Sequence, residues 1–202
     1  MFNLFPKIKM ENIFFFEVEP QDKKLVSAKY PKAQISREPF NKDSLKNCQN
    51  AEILCGMINS DFSAKNLKKC PNLKLIVTRS VGYNHIDLQW AKANNVMVCN
   101  VPDYGSHVIA EHVFGLLLSA VRHILEGEKR TEKHIFNWHG LRGMALKGKT
   151  LGVIGTGKIG ANVCKIASKG FEMKVLAYDK FPQAKLAKKY NFKYAPTLNE
   201  IW

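Results

Sequence analysis

The chain has 202 residues, 46% of them hydrophobic, which is enough apolar material for a packed core and excludes wholesale disorder. Its formal net charge of +14 raises the question of nucleic acid, but the lysines are scattered through helix-like stretches such as SAKNLKKC and QAKLAKKY. No zinc-finger spacing or aromatic RNA-binding motif accompanies them, so a solvated basic surface that also attracts anionic ligands is expected.

Strand and helix patterns alternate along the whole chain. Strands are expected at 12–18, 34–40, 51–57, 73–80, 96–101, 150–155, 174–179 and 192–195. Helices are expected at 21–30, 43–48, 63–70, 86–94, 107–127, 158–170 and 182–190. This rhythm argues for parallel sheets joined by crossover helices. The first five strands form one group that ends at Val101-Pro102. The long pattern HVIAEHVFGLLLSAVRHILEGEK follows, apolar nearly all round in its first turns, and is expected to be buried between layers. The domains are therefore placed at 1–103 and 104–202.

Five cysteines, Cys48, Cys55, Cys70, Cys99 and Cys164, are odd in number and form no CxxC pair, which suits free thiols in a reducing compartment. The N-terminus has no long apolar stretch ahead of a small-residue cleavage site. The longest apolar run, VFGLLLSAV at 113–121, is far short of the ~20 residues of a membrane span. A cytoplasmic protein with no membrane or nucleic-acid partner and no metal is expected. With Met10 just before the first strand, residues 1–9 are expected to be a dispensable extension.

The most specific segment is TLGVIGTGKIG at 150–160, where a short apolar strand runs into a GxGxxG turn and a helical pattern follows. The next strand, KVLAY, ends at Asp179. A strand before, a helix after and an acid roughly 20 residues on complete the dinucleotide-binding context. Gly155 permits the tight turn, Gly157 lets the backbone approach a pyrophosphate, and Gly160 lets the helix pack on the strand. The helix start then offers unpaired N–H groups and the positive end of a dipole. A glycine-rich turn that binds nothing is the plainer alternative.

Four stretches, NLKLIVTRSVGYNHIDL (72–88), VCNVPDYGSHVIAEHVFGLLL (98–118), LKGKTLGVIGTGKIG (146–160) and KVLAYD (174–179), are specific together. In order and spacing they resemble the D-isomer-specific 2-hydroxyacid dehydrogenases, within them the D-lactate dehydrogenase-like branch. The resemblance implies an α/β fold: a flavodoxin-like substrate domain followed by the first half of a Rossmann NAD-binding domain. It implies that Ser80, Val81 and Gly82 hold the substrate carboxylate through backbone N–H groups. Lys158 and Ile159 line the pyrophosphate, with lysine where arginine is more usual. Asp179 binds the ribose and selects NAD over NADP. Glu111 and His112, ionisable neighbours in an apolar helix, are expected in structural hydrogen bonding or packing, since adjacent helical residues do not face each other.

The family's catalytic arginine, acid and histidine match nothing here and are expected downstream of Trp202, which makes the chain an N-terminal fragment. The implied activity is reduction of a 2-keto acid to a D-2-hydroxy acid, with a homodimer when the protein is full length. A non-catalytic NAD-binding or interaction module of the same fold is the alternative.

Overall fold

In the computed structural model, residues 12–202 are described; the expectation for residues 1–9 lies outside them. The chain divides into two compact units, the first up to Tyr104 and the second Gly105–Trp202.

The first unit is a parallel sheet of β1 (Ile13–Phe15), β2 (Gln34–Ile35), β3 (Ile53–Gly56), β4 (Leu75–Thr78) and β5 (Met97–Cys99), in the order β2-β1-β3-β4-β5. That 2-1-3-4-5 order is the flavodoxin-like one, in which the strand order reverses beside β1. Helices α1 (Pro20–Lys29), α2 (Leu45–Cys48), α3 (Ala64–Leu67) and α4 (Leu88–Ala93) make the crossovers. The central strands are apolar on both faces, as strands covered from two sides must be. Phe14, Leu54 and Ile76 pack on one side with Phe16, Phe40 and Phe62, while Ile13, Phe15, Ile53 and Cys55 pack on the other. Asp87 caps α4 by accepting from the Trp90 N–H at 2.9 Å.

The second unit holds α5 (Ser106–Val121), α6 (Ile124–Glu132), β6 (Thr150–Ile154), α7 (Lys158–Lys165), β7 (Lys174–Tyr178), α8 (Ala184–Tyr190) and β8 (Lys193–Tyr194). Its strands are parallel in the order β6-β7-β8. Counted from its own first strand, this is the 3-2-1 half of a Rossmann sheet. Among the described residues β6 pairs on one side only. Val153, Val175 and Ala177 face a core completed by Ala110, Phe114, Val163 and Ala167.

Several elements are shorter than their sequence patterns. The expected strand 34–40 keeps only Gln34–Ile35, because Ser36 and Glu38 turn away through a side-chain hydrogen bond. The helix expected over 158–170 changes at Ile166 into a π-helical turn, Ile166–Gly170. The helix expected over 107–127 breaks after Val121, with α5 and α6 bent by 63° and His123 in the left-handed region at φ 54°. The returning chain explains the break. Met144 N–H takes the Val121 carbonyl at 2.9 Å, and Gly143 sits so close that a Cβ there would lie 2.3 Å from the same oxygen.

The expectation that this helix is buried is corrected too. Only Ala110 and Phe114 of α5 are buried, and Ile109, Val113 and Leu116 form an exposed second stripe. Among the described residues no single helix is long and apolar enough to cross a membrane.

Candidate functional site

The glycine turn joins β6 to α7, and each glycine meets a different constraint. Gly155 has φ 87°, a conformation that L side chains rarely adopt. A Cβ on Gly157 would meet nothing within 4 Å, so the backbone there is open to a ligand. A Cβ on Gly160 would lie 1.9 Å from the Gly155 carbonyl oxygen, which lets the first turn of α7 close against the loop only because the residue is glycine. Gly157 is the N-cap and no side chain caps the helix; its carbonyl accepts from Ala161 at 2.9 Å. Lys158, Ile159 and Gly160 thus form the first turn of a helix whose N-cap residue brings no side chain of its own, with a lysine for charge.

Asp179 follows β7 directly. Its Oδ2 accepts from the Thr156 N–H at 2.6 Å and the Thr156 hydroxyl at 2.8 Å, and its Oδ1 accepts from the Phe181 N–H at 2.9 Å. The Phe181 and Thr156 amides, with the Thr156 hydroxyl, hold its carboxyl below the usual carboxylate range. An ionised carboxylate is thereby fixed beside the phosphate-type turn, and a donor pair such as a ribose diol finds an acceptor there. The open Gly157, the glycine N-cap of α7 and the anchored acid together fit a dinucleotide.

The second candidate lies at the end of β4. In Ser80–Gly82 every carbonyl is tied back: Ser80 O accepts from Val101 N–H at 3.1 Å, Val81 O from Asn100 Nδ2 at 2.8 Å and Gly82 O from Ser80 Oγ at 2.6 Å. Among the described residues no acceptor meets the Val81 or Gly82 N–H. With these carbonyls tied, the Val81 and Gly82 amides are left as candidate donors to a small anion. Gly82 has no positive φ and its Cβ position is open, so no backbone strain demands glycine there.

Beside this loop lies a half-buried polar network that no local pattern in the sequence announces. Arg79 Nη2 donates to the carbonyls of Phe16 at 2.9 Å and Glu17 at 2.6 Å. The Glu17 carboxylate accepts from Met57 N–H at 2.8 Å, Asn59 N–H at 3.1 Å and Ser60 Oγ at 2.6 Å. Burial alone would raise its pKa, but the Ser60 hydroxyl and these amides hold it lower. Thr78 Oγ1 bonds Ser80 Oγ at 2.6 Å and His85 Nε2 at 3.2 Å. Burial pushes the His85 pKa down against the opposing charge of Glu17. Glu111 and His112 are exposed on α5.

A flavodoxin-ordered sheet followed by a glycine-turn βαβ unit with an anchored acid defines an α/β protein of the dinucleotide-binding kind. The chain belongs to the D-isomer specific 2-hydroxyacid dehydrogenase family, whose catalytic-domain model matches residues 13–191. It is 36% identical over 166 residues to a 2-hydroxyacid dehydrogenase homolog of Zymomonas mobilis, covering 81% of this chain and 50% of that protein. Against D-lactate dehydrogenase of Escherichia coli it is 39% identical over 141 residues, covering 69% and 43%. The crystal structure of D-lactate dehydrogenase from Aquifex aeolicus, complexed with NAD and lactic acid, superposes with a TM-score of 0.87 at 32% identity. That match covers 94% of this chain and 57% of the other. The chain spans about half the length of the curated relatives it matches.

Proposed function

We propose that this chain forms the substrate-positioning domain (1–103) and the cofactor-cradling half (104–202) of an NAD-dependent oxidoreductase acting on the CH–OH group of D-2-hydroxy acids. The observation that carries this reading is Asp179, anchored by Thr156 and Phe181 beside an open glycine turn. Gly155, Gly157, Lys158, Ile159 and Gly160 hold the pyrophosphate, and Asp179 accepts from the ribose. When bound, NADH supplies the hydride for reduction of a 2-keto acid. The Val81 and Gly82 amides, with Ser80 fixing their orientation, hold the substrate carboxylate. The names of the Escherichia coli and Aquifex aeolicus relatives support the substrate class.

The catalytic arginine, acid and histidine of the family belong, in this reading, to the part of the relatives that this chain does not span. The exposed apolar stripe of α5 is read as the contact with a second copy. All five cysteines are free thiols, which suits the cytoplasm.

Calorimetric titration of the chain and of Asp179→Ala with NAD and NADP tests the assignment. A hydrogen-bonded carboxylate favours NAD by roughly ten- to a hundredfold, and the alanine variant loses that preference. Equal affinity of the wild type for both dinucleotides would sink the reading.

A further inference from the structure

Thr156 is almost fully buried although it occupies a variable position of the glycine motif, and its hydroxyl bonds two groups. It lies 2.8 Å from Asp179 Oδ2 and 2.8 Å from the Tyr194 hydroxyl on β8. Proton counting fixes the direction of this chain. An ionised carboxylate only accepts, so the single hydroxyl proton of Thr156 goes to Asp179. The threonine oxygen then accepts from Tyr194, whose phenol is the donor at the far end. Each bond polarises the next, so the phenol strengthens the donor that faces the carboxylate.

We propose that Tyr194 is a positioning residue for dinucleotide specificity, acting through Thr156 to hold the Asp179 carboxylate in the orientation that accepts a ribose hydroxyl and repels a 2′-phosphate. This rests on the NAD-binding reading above. The geometry separates the role from packing. The Tyr194 ring stands edge-on to Phe192 at 5.1 Å and joins the core of the second unit, and these contacts survive removal of the hydroxyl alone. The register places it there: Tyr194 pairs with Ala177, two residues before Asp179, so β8 delivers the phenol to the end of β7 where the acid sits. Without the phenol, the Thr156 hydroxyl is free to turn, and one of the three bonds that hold the carboxylate weakens. The carboxylate then swings, which weakens NAD and relieves the repulsion of NADP.

Two measurements on wild type and Tyr194→Phe test this, with Thr156→Val and Thr156→Ser as companions. The first is calorimetric affinity for NAD and NADP. Tyr194→Phe is expected to lower the NAD-to-NADP affinity ratio by roughly three- to tenfold, the range of one neutral hydrogen bond. Thr156→Val is expected to lower it at least as far, and Thr156→Ser, which keeps the hydroxyl, to retain most of it. The second is a carbon NMR titration of the Asp179 carboxyl in the ligand-free chain, where Tyr194→Phe is expected to move its pKa up toward the ordinary carboxylate value. An unchanged titration overturns the inference whichever dinucleotide the chain prefers. A shifted titration with an unchanged ratio overturns the specificity role. A wild type with no preference for NAD fails the cofactor reading itself, and the role of Tyr194 in specificity with it.

Discussion

Asn100 donates to the Val81 carbonyl from the end of β5 and so keeps the Val81–Gly82 peptide turned with its N–H outward. Its loss lets that peptide rotate, and the candidate anion site loses its preorganisation. Titration of the isotopically labelled chain with pyruvate or glyoxylate is expected to shift the Val81 and Gly82 amide resonances, and Asn100→Ala to weaken binding by roughly three- to tenfold. Gly82→Val should fold as the wild type does, because its Cβ direction is open, yet obstruct the anion. Amides that stay unmoved at saturating keto acid would reduce the loop to a strand-exit turn. The residues of both candidate sites stood in local motifs, which is why they were legible in the sequence. Asn100, Thr156, Tyr194 and Glu17 were not. Their partners lie 19, 23, 38 and up to 43 positions away, and no local spacing encodes such a pairing.

Helix α5 shows why the elements were legible and their burial was not. Its apolar residues form two stripes rather than one. Ala110, Phe114, Leu117, Leu118 and Val121 face the core, while Ile109, Val113 and Leu116 repeat at the same helical spacing on the outside. A one-dimensional pattern with two stripes reads as apolar all round and so as buried. The break after Val121 is set by the return of Gly143-Met144, which no local signal announces. Exposed Leu116 at 61%, with Ile124 and Leu125 at 50% and 61% at the start of α6, leaves an apolar surface of the kind that monomers seldom keep. Self-association through this surface is expected. Sedimentation velocity should find a dimer, and Leu116→Glu with Leu125→Glu should raise its dissociation constant at least about tenfold by burying unpaired charge. A wild type that stays monomeric at high micromolar concentration would remove α5 and α6 as a contact between copies.

At the scale of the whole molecule, each parallel sheet carries a candidate site in the loop after one of its strands, β4 and β6, and a reduction needs in addition a group that donates a proton to the substrate carbonyl. The titratable groups beside the Ser80–Gly82 loop do not fit that task. Arg79 spends its Nη2 on two main-chain carbonyls and its Nη1 on Cys55 Sγ at 3.5 Å, which ties β1, β3 and β4 together. Glu17 is satisfied by two amides and a hydroxyl and held ionised. His85 is the one imidazole in this network, and burial lowers its pKa against the charge of Glu17, which disfavours the protonated form that an acid must start from. These three side chains are engaged in bonds that hold the end of β4 in place, and the expected outcome is binding without turnover. The purified 202-residue chain should take up NADH and yet leave it unoxidised with pyruvate, glyoxylate or hydroxypyruvate at pH 7–8. NADH consumption that disappears in His85→Gln would show that the proton donor lies within this chain after all, with an imidazole that gains its proton when substrate binds.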